Sequence, residues 1–123
     1  MVIGKKFKLL IADDEPDLVE LLVDILGDIA EIKTAFDGKS AMDFNDKEDF
    51  DLIISDFFMP EMTGIDLYHS AIKKNPIQKF IIMTAFVKKV IDDSPLTENE
   101  LLLKPFSAED VTEKVLKILG ENP

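Results

Sequence analysis

Polar side chains stand directly after four apolar runs of this sequence, where side chains from separate segments could act together. They are Asp13 and Asp14 after residues 7–12, Asp56 after 50–55, Thr84 after 79–83, and Lys104 after 101–103. Two carboxylates 4 Å apart repel each other by roughly 4 kcal/mol at an effective dielectric constant of 20. A bound cation would relieve that repulsion, and carboxylate oxygens combined with carbonyl and water ligands suit Mg²⁺. The pattern therefore predicts a magnesium site.

Each of these residues also has an ordinary structural explanation when it is taken alone. An Asp-Asp pair after a strand commonly forms a turn or caps a helix, and a lysine at a strand end is commonly solvated. A zinc site is disfavoured, because the chain has no cysteine and its one histidine, His69, is interpreted as an ordinary helix residue. The combination at four strand ends, rather than any single residue, indicates a site.

Short apolar runs alternate with segments of helical periodicity along the chain. Strands are predicted over 7–12, 31–35, 50–55, 79–83 and 101–103. Helices are predicted after Pro16, over 39–45, over 64–74, around 87–91, and from Ser107 to Gly120. Continuous apolar strands are typical of a sheet covered on both faces. The predicted fold class is therefore α/β, a doubly wound five-stranded parallel sheet with about five helices, whose carboxyl strand ends carry the polar residues.

Three local patterns add detail to the predicted helices. The first helix has one apolar stripe at helical spacing, formed by Leu18, Leu21, Leu22, Ile25 and Leu26. The fourth helix is expected to be short or irregular, because residues 92–95 end in proline and interrupt it. Residues 97–100 have the form of a capping box, but a strand follows them, so this match is interpreted as false.

The composition limits the classes of function. The chain has 123 residues, which fits one domain spanning 1–123. Its formal net charge of −11 repels phosphate backbones, so direct binding to nucleic acid is not expected. The sequence has no apolar run long enough for a membrane helix and no signal-peptide pattern in residues 1–6. A cytoplasmic location without membrane contact is the simplest interpretation.

Taken in order, these residues carry a resemblance to a known family. The motifs are the pair Asp13-Asp14, the run Asp56-Phe57-Phe58-Met59-Pro60-Glu61-Met62-Thr63-Gly64, then Thr84-Ala85 and Lys104-Pro105-Phe106. Over nearly its full length the chain resembles the CheY-like receiver domain of two-component response regulators. The middle motif, D-x-x-M-P-x-M-x-G after an apolar strand, is specific by itself. The resemblance implies a flavodoxin-like sheet with the strand order 2-1-3-4-5.

The resemblance implies a role for each residue at the strand ends. Asp56 is expected to be the phosphoacceptor, which takes a phosphoryl group from a phosphohistidine on a sensor histidine kinase or phosphotransfer protein. Mg²⁺ is the expected cofactor, held by Asp13, Asp14, Asp56 and the backbone carbonyl of Phe58. Lys104 and Thr84 are expected to contact the phosphoryl oxygens. These roles are chemically sound, since a carboxylate attacks phosphorus competently and phosphoryl transfer depends mainly on alignment and on nearby cations.

The same resemblance implies a signalling module rather than an enzyme that turns over an external substrate. Phosphorylation is expected to switch contact with a downstream protein, which the sequence does not identify. A cis peptide between Lys104 and Pro105 is also implied.

The position of Leu101 departs from the pattern of the resembled family. Leu101 occupies the position three residues before the lysine, where an aromatic residue usually turns inward on activation. Phe58 and Phe86 lie two residues beyond Asp56 and Thr84 and are expected to flank the phosphoryl group. Either these rings simply pack on the rim, or they restrict attacking water and prolong the phosphorylated state.

Two other functions are weighed. A haloacid-dehalogenase-type phosphatase also uses an aspartate nucleophile and Mg²⁺, but it places that nucleophile in a D-x-D motif after the first strand and carries a cap insertion. A degenerate receiver could act as a scaffold that needs no phosphorylation. The five retained pocket residues oppose this alternative, whereas Leu101 favours it.

Overall fold

The structure, a computed structural model, describes residues 7–121. Its strands are β1 (Phe7–Ala12), β2 (Ala30–Ala35), β3 (Leu52–Asp56), β4 (Phe58–Met59), β5 (Met62–Thr63), β6 (Phe80–Thr84) and β7 (Leu101–Leu103). Its helices are α1 (Pro16–Leu26), α2 (Gly38–Lys47), α3 (Gly64–Lys74), α4 (Val87–Asp93) and α5 (Ala108–Ile118), with a 3₁₀ helix at Glu98–Glu100. Within this range, every helix is too short or too polar to cross a bilayer. The expectations for residues 1–6 and for a single domain over 1–123 extend outside the described residues and stay predictions.

Five strands form one parallel sheet in the order β2-β1-β3-β6-β7. Counted over the strands of this sheet alone, the order is 2-1-3-4-5, so the predicted doubly wound α/β fold is confirmed. The short strands β4 and β5 form a separate antiparallel hairpin between β3 and α3. Because all five sheet strands run in parallel, their carboxyl ends meet at one edge of the molecule.

Both faces of the sheet are covered by apolar packing. Adjacent strand residues point to opposite faces, so Ile53 joins one buried cluster and Ile54 joins the other. The cluster around Ile53 includes Ala41 of α2 and Leu67 of α3. The cluster around Ile54 includes buried residues of α1 and α5. This two-sided burial explains why the central strands are apolar without alternation.

The predicted apolar stripe of α1 is correct in part. Leu22 and Leu26 are fully buried, but Leu21 is 48% exposed, and Val19, which the stripe omitted, is buried. Val19, Leu22 and Leu26 are spaced i, i+3 and i+7, so they share one face of the helix. The face that contacts the sheet is therefore rotated away from Leu21.

Strands β3 and β6 each begin later than predicted, and each ends one residue later than predicted. Asp56 is the last residue of β3 and pairs with Met83, and Thr84 is the last residue of β6 and pairs with Leu103. The pairing of β3 with β6 and of β6 with β7 thus extends to the polar residues Asp56 and Thr84. The strand predicted from residue 50 begins at Leu52. Helix α3 has the predicted bounds, and α2 is longer than the predicted 39–45.

The interpretation of residues 97–100 as a false capping box is wrong. They form a 3₁₀ helix at Glu98–Glu100 in which the Glu100 side chain accepts a hydrogen bond from the Thr97 N–H at 3.1 Å. The motif organises a single turn even though strand β7 follows at once, because a 3₁₀ turn needs only three residues. Helix α4 is short, as predicted, with seven residues.

Candidate functional site

Residues from three strand ends meet in direct contact at the carboxyl edge of the sheet. The Nζ atom of Lys104 lies 2.8 Å from Oδ1 of Asp56 and 3.7 Å from Oδ2 of Asp13. Asp56 ends β3, Asp13 follows β1, and Lys104 follows β7. Because β1 and β6 flank β3 and β7 pairs with β6, the strand order itself brings these distant residues together.

The backbone holds Lys104 at this edge. Its N–H donates to the carbonyl of Thr84 at 2.9 Å, and the Lys104–Pro105 peptide is cis, as the family resemblance implied. Burial lowers the pKa of the Lys104 ammonium, but the hydrogen bond and charge of Asp56, together with Asp13, outweigh burial and raise this pKa overall. Lys104 is therefore a cation that the adjacent carboxylates stabilise.

Asp13 is a fully buried carboxylate. Its Oδ1 atom accepts the Glu15 N–H at 2.8 Å, whereas no residue among those described, 7–121, donates a hydrogen bond to its Oδ2 atom. Burial raises the pKa of Asp13 from 3.8 to about 6, and the charge of Asp56 adds to this rise, while the Glu15 N–H and Lys104 oppose it. The charged form of Asp13 is thus short of positive partners at neutral pH.

A carboxylate cluster extends from Asp13 toward solvent. One carboxylate oxygen each from Asp13, Asp14 and Glu15 lies within 4.8 Å of the others, and Asp14 and Glu15 are exposed. Glu15 is not among the site residues predicted from the sequence, although its place in the acidic run after β1 is a usable signal. Hard oxygen donors converging beside Oδ2 of Asp13, which accepts no hydrogen bond from residues 7–121, fit a divalent cation such as Mg²⁺.

Thr84 is buried next to the charged residues. Its Oγ1 atom accepts the N–H of Phe86 at 2.8 Å. A hydroxyl that accepts one hydrogen bond still has its own O–H to donate. This contact fixes the position of the Thr84 oxygen while its proton stays available to an anionic group at the strand ends.

Phe58 lies in the β4–β5 hairpin, where it pairs with Thr63. The turn of this hairpin contains Pro60 and Glu61, and Glu61 has a positive φ of 67°. Phe58 lies two residues after Asp56, the last residue of β3. Its role as a carbonyl ligand stays a prediction.

An aromatic pair stands at the rim beside these residues. The rings of Phe58 and Phe86 are 54% and 56% exposed, and their centroids lie 6.2 Å apart in an edge-to-face arrangement. The ring of Phe57 also packs against that of Phe58, with the two centroids 4.6 Å apart. The pair joins the loop after β3 to the loop after β6 and forms an apolar surface at the edge of a charged site.

Leu101 is 4% exposed and packs in the apolar cluster that also contains Val90 and Leu96. Its side chain already lies inside the fold, between β6 and the α4 region. In this chain, the position that is usually aromatic therefore forms part of the core.

Comparison with known proteins agrees with this geometry. Residues 9–116 match the family described as response regulator receiver domain. The chain is 35% identical to a probable chemotaxis protein CheY of Rhizobium etli over 127 residues, covering 98% of each chain. It is 33% identical to the response regulator receiver protein CpdR of Brucella abortus, covering 91% of this chain and 96% of the relative. The solved structure of CheY4 of Vibrio cholerae has a TM-score of 0.84 at 26% identity and covers 92% of this chain and 98% of that one. The chain belongs to the response regulator receiver domain family.

Proposed function

We propose that this receiver domain accepts a phosphoryl group on Asp56 from a phosphohistidine of a sensor histidine kinase or phosphotransfer protein. The observation that carries the proposal is the contact between the Asp56 carboxylate and the Lys104 ammonium, beside the buried carboxylate of Asp13. Membership of the receiver family leaves no support for the haloacid-dehalogenase alternative.

The transfer is a displacement at phosphorus. An oxygen of the Asp56 carboxylate supplies the electron pair for the new O–P bond, and the donor's P–N bond breaks with its electrons returning to the imidazole nitrogen. A ring that is protonated on its other nitrogen then leaves as neutral imidazole, so no proton has to move. Lys104, which lies 2.8 Å from Asp56, balances the negative charge of the acceptor and then that of the phosphoryl oxygens.

The acidic cluster supports a Mg²⁺ requirement. Asp13, Asp14 and Asp56 would hold the ion with the Phe58 carbonyl, and the exposed carboxylate of Glu15 lies close enough to contribute. Bound Mg²⁺ would supply positive charge next to the transferring phosphoryl oxygens. The chemistry of the donor set favours this ion, because every side-chain ligand is a carboxylate.

The readout of phosphorylation is a change in contact with a downstream protein. Phosphorylation adds close to two negative charges and three strong acceptors. The Thr84 O–H and the Lys104 ammonium, which contacts Asp56, are expected to donate to them. The Thr84 hydroxyl oxygen accepts the Phe86 N–H, and the Lys104 N–H donates to the Thr84 carbonyl, so both residues are connected to the end of β6 and to the segment that follows it. Because Leu101 is already packed in the core, we place the structural response in the Thr84–Phe86 segment. The domain acts as a switch and does not turn over an external substrate.

Incubation with acetyl phosphate and Mg²⁺ tests this function. Intact mass spectrometry should detect one phosphoryl adduct on the parent protein and none on Asp56→Asn, and chelation of Mg²⁺ should suppress the adduct. Asp24→Asn, which changes an exposed carboxylate of α1, is the matched control and should be labelled like the parent. An unlabelled parent protein would favour the scaffold alternative, and labelling of Asp56→Asn would rule out the assigned acceptor.

A further inference from the structure

One buried polar residue beside the acceptor has no part in the chemistry described above. Ser55 is fully buried and pairs with Ala12 of β1 and Ile82 of β6. It lies on the same face of β3 as Ile53, the face that packs against an apolar cluster. A hydroxyl buried among apolar groups costs roughly 1–3 kcal/mol unless it is hydrogen-bonded. An aliphatic residue would fill this site without that requirement, so the bonding of Ser55 is informative.

The Ser55 hydroxyl donates to the carbonyl oxygen of Asp56 at 2.9 Å. The Sδ atom of Met59, at 4.0 Å, is a second and much weaker acceptor. A hydroxyl has a single proton to donate, so the short contact to the carbonyl is the dominant one. Ser55 thus contacts the backbone of the acceptor rather than its side chain.

The bonded carbonyl belongs to the peptide unit that joins Asp56 to Phe57. The other polar group of the same unit, the Phe57 N–H, donates to the carbonyl of Met83 at 3.0 Å. Both ends of this peptide plane are therefore held, one by Ser55 and one by β6. A plane held at both ends cannot rotate without losing a buried hydrogen bond, which typically costs about 1–3 kcal/mol.

Helix α3 closes the third side of this peptide unit. A Cβ atom placed on Gly64 would lie 2.5 Å from the Asp56 carbonyl oxygen. The Gly64 N–H also donates to the Phe57 carbonyl at 2.8 Å. The peptide between the acceptor and the following residue is consequently enclosed by the Ser55 side chain, β6 and the first residue of α3.

We propose that Ser55 is a positioning residue for phosphoryl transfer, whose hydroxyl holds the Asp56–Phe57 peptide plane and so aims the Asp56 carboxylate. This inference rests on the proposed function and deepens it. Without the hydroxyl, the buried Asp56 carbonyl loses its donor, and the plane rotates toward another partner. Rotation of the plane displaces the carboxylate relative to Lys104 and displaces the segment leading to the Phe58 carbonyl. A misplacement on the order of 1 Å can lower a transfer rate about 100-fold.

The test compares Ser55→Ala and Ser55→Thr with the parent and with Ser70→Ala. Ser70, a residue of α3 that lines a surface pocket with His69 and Met42, is the matched control for loss of a serine hydroxyl. Labelling rates are measured by intact mass over a range of acetyl phosphate concentrations at saturating Mg²⁺. Urea unfolding of each variant gives the folded fraction under the assay conditions.

Ser55→Ala should lower the limiting rate per folded molecule by about 10-fold to 100-fold, with the half-saturating acetyl phosphate concentration within about twofold of the parent. Ser55→Thr keeps the hydroxyl and should retain a rate within about threefold of the parent. Ser70→Ala should match the parent. A residue with a purely structural role would reduce stability and leave the limiting rate of the folded molecules unchanged.

Two results would overturn the positioning role. One is a folded Ser55→Ala protein that reaches the parental limiting rate, and the other is a folded Ser55→Thr protein whose limiting rate lies about tenfold or more below that of the parent. The threonine comparison keeps the inference testable if the alanine variant does not fold. A parent protein without any adduct would contradict the proposed function itself and this inference with it, whereas labelling of the parent and of Ser55→Ala at equal rates contradicts only the inference.

Discussion

At the scale of single residues, the burial of Asp13 separates this site from an ordinary acidic surface. An exposed carboxylate is stabilised by water, but Asp13 is fully buried and its Oδ2 atom accepts no hydrogen bond from any residue that the structure describes. Within the described residues, Lys104 is the cation that pairs with Asp13, at 3.7 Å, and it makes a closer contact with Asp56. Two buried carboxylates therefore share one ammonium group, which leaves negative charge in excess until a further cation binds.

Replacing Asp13 with asparagine should stabilise the metal-free protein at neutral pH. The raised pKa means that the folded state binds more protons than the unfolded state between pH 3.8 and about 6, so the free energy of unfolding falls as the pH rises through this window. Asp13→Asn removes this loss of stability. The free energy of unfolding of the variant should exceed that of the parent by about 1–3 kcal/mol at pH 7 and differ little from it at pH 4. Urea unfolding with a chelator present measures the effect.

Asp14→Asn is the control for that experiment, because Asp14 is an exposed member of the same cluster. It should change the free energy of unfolding by less than about 0.5 kcal/mol at either pH. A pH-independent difference between Asp13→Asn and the parent would contradict the prediction.

The aromatic pair gives a second prediction at the residue scale. Phe86 is more than half exposed, and its ring meets that of Phe58 beside the acceptor. If the rings limit the access of water, Phe86→Ser should shorten the lifetime of the phosphorylated protein at least about threefold, which corresponds to roughly 0.6 kcal/mol in the barrier to hydrolysis. Loss of the phosphoryl mass after removal of the donor measures the lifetime. An unchanged lifetime would mean that the rings only pack on the rim.

At the scale of elements, the segment between β3 and α3 controls how closely the helix approaches the acceptor strand. Thr63 caps α3 by accepting the Asp66 N–H, and Asp66 accepts the Thr63 N–H in return. This capping box begins the helix at Gly64, which lies against the Asp56 carbonyl. The glycine in the D-x-x-M-P-x-M-x-G motif is thus explained by close packing, since any side chain would meet backbone atoms.

Gly64→Ala should therefore damage both stability and labelling. The added Cβ would lie 2.5 Å from the Asp56 carbonyl oxygen, so the helix or the strand end must move. We expect a loss of about 1–3 kcal/mol in the free energy of unfolding and a labelling rate at least about tenfold lower. Urea unfolding and acetyl phosphate labelling measure the two effects.

Gly120→Ala is the control for Gly64→Ala, because it introduces backbone strain without displacing the acceptor site. Gly120 has a φ of +80°, and a Cβ atom there would meet nothing within 4 Å. Alanine at this position should cost about 1 kcal/mol through strain and leave the labelling rate unchanged. Equal labelling by Gly64→Ala and Gly120→Ala would show that the close approach of α3 does not matter for the acceptor.

At the scale of the whole molecule, the acidic charge and the site act together. The chain carries a formal net charge of −11, and the carboxylates of Asp13, Asp14 and Glu15 converge in space. Mutual repulsion of these groups opposes compaction, and a bound divalent cation would reduce it. Because the site residues come from separate strands, a cation that binds them stabilises the sheet topology as a whole.

Mg²⁺ should therefore raise the free energy of unfolding in a saturable manner. A single site contributes about 2.7 kcal/mol at a concentration one hundred times its dissociation constant. Thermal unfolding in MgCl₂, compared with NaCl at matched ionic strength, separates specific binding from screening. In Asp14→Asn, most of this Mg²⁺-dependent increase in the free energy of unfolding should be lost. An equal stabilisation of the parent by NaCl would contradict a specific site.

How far the sequence predicts the site depends on the range of the interactions involved. The five strands of the parallel sheet, the α3 bounds and the start of α5 beside Ser107 depend on residues close in the chain, and they are found as predicted or within two residues. The β4–β5 hairpin was not predicted. Two predictions were wrong: Leu21 was placed in the apolar stripe of α1 but is exposed, and residues 97–100 were interpreted as a false capping box but form a 3₁₀ helix at Glu98–Glu100. The orientation of α1 depends on its contacts with the sheet, which local periodicity locates only approximately.

The sequence by itself determined the fold class, the strand ends that carry polar residues, and the family motifs. The tertiary structure alone decided which of those residues touch. Three features result from strand order and burial: the sharing of Lys104 between Asp56 and Asp13, the lack of a hydrogen-bond donor to Oδ2 of Asp13 within the described part of the chain, and the packing of Leu101 in the core. The physical reason is that desolvation and charge pairing depend on residues that are far apart in the chain, whereas strand and helix patterns depend on residues that are close together in it.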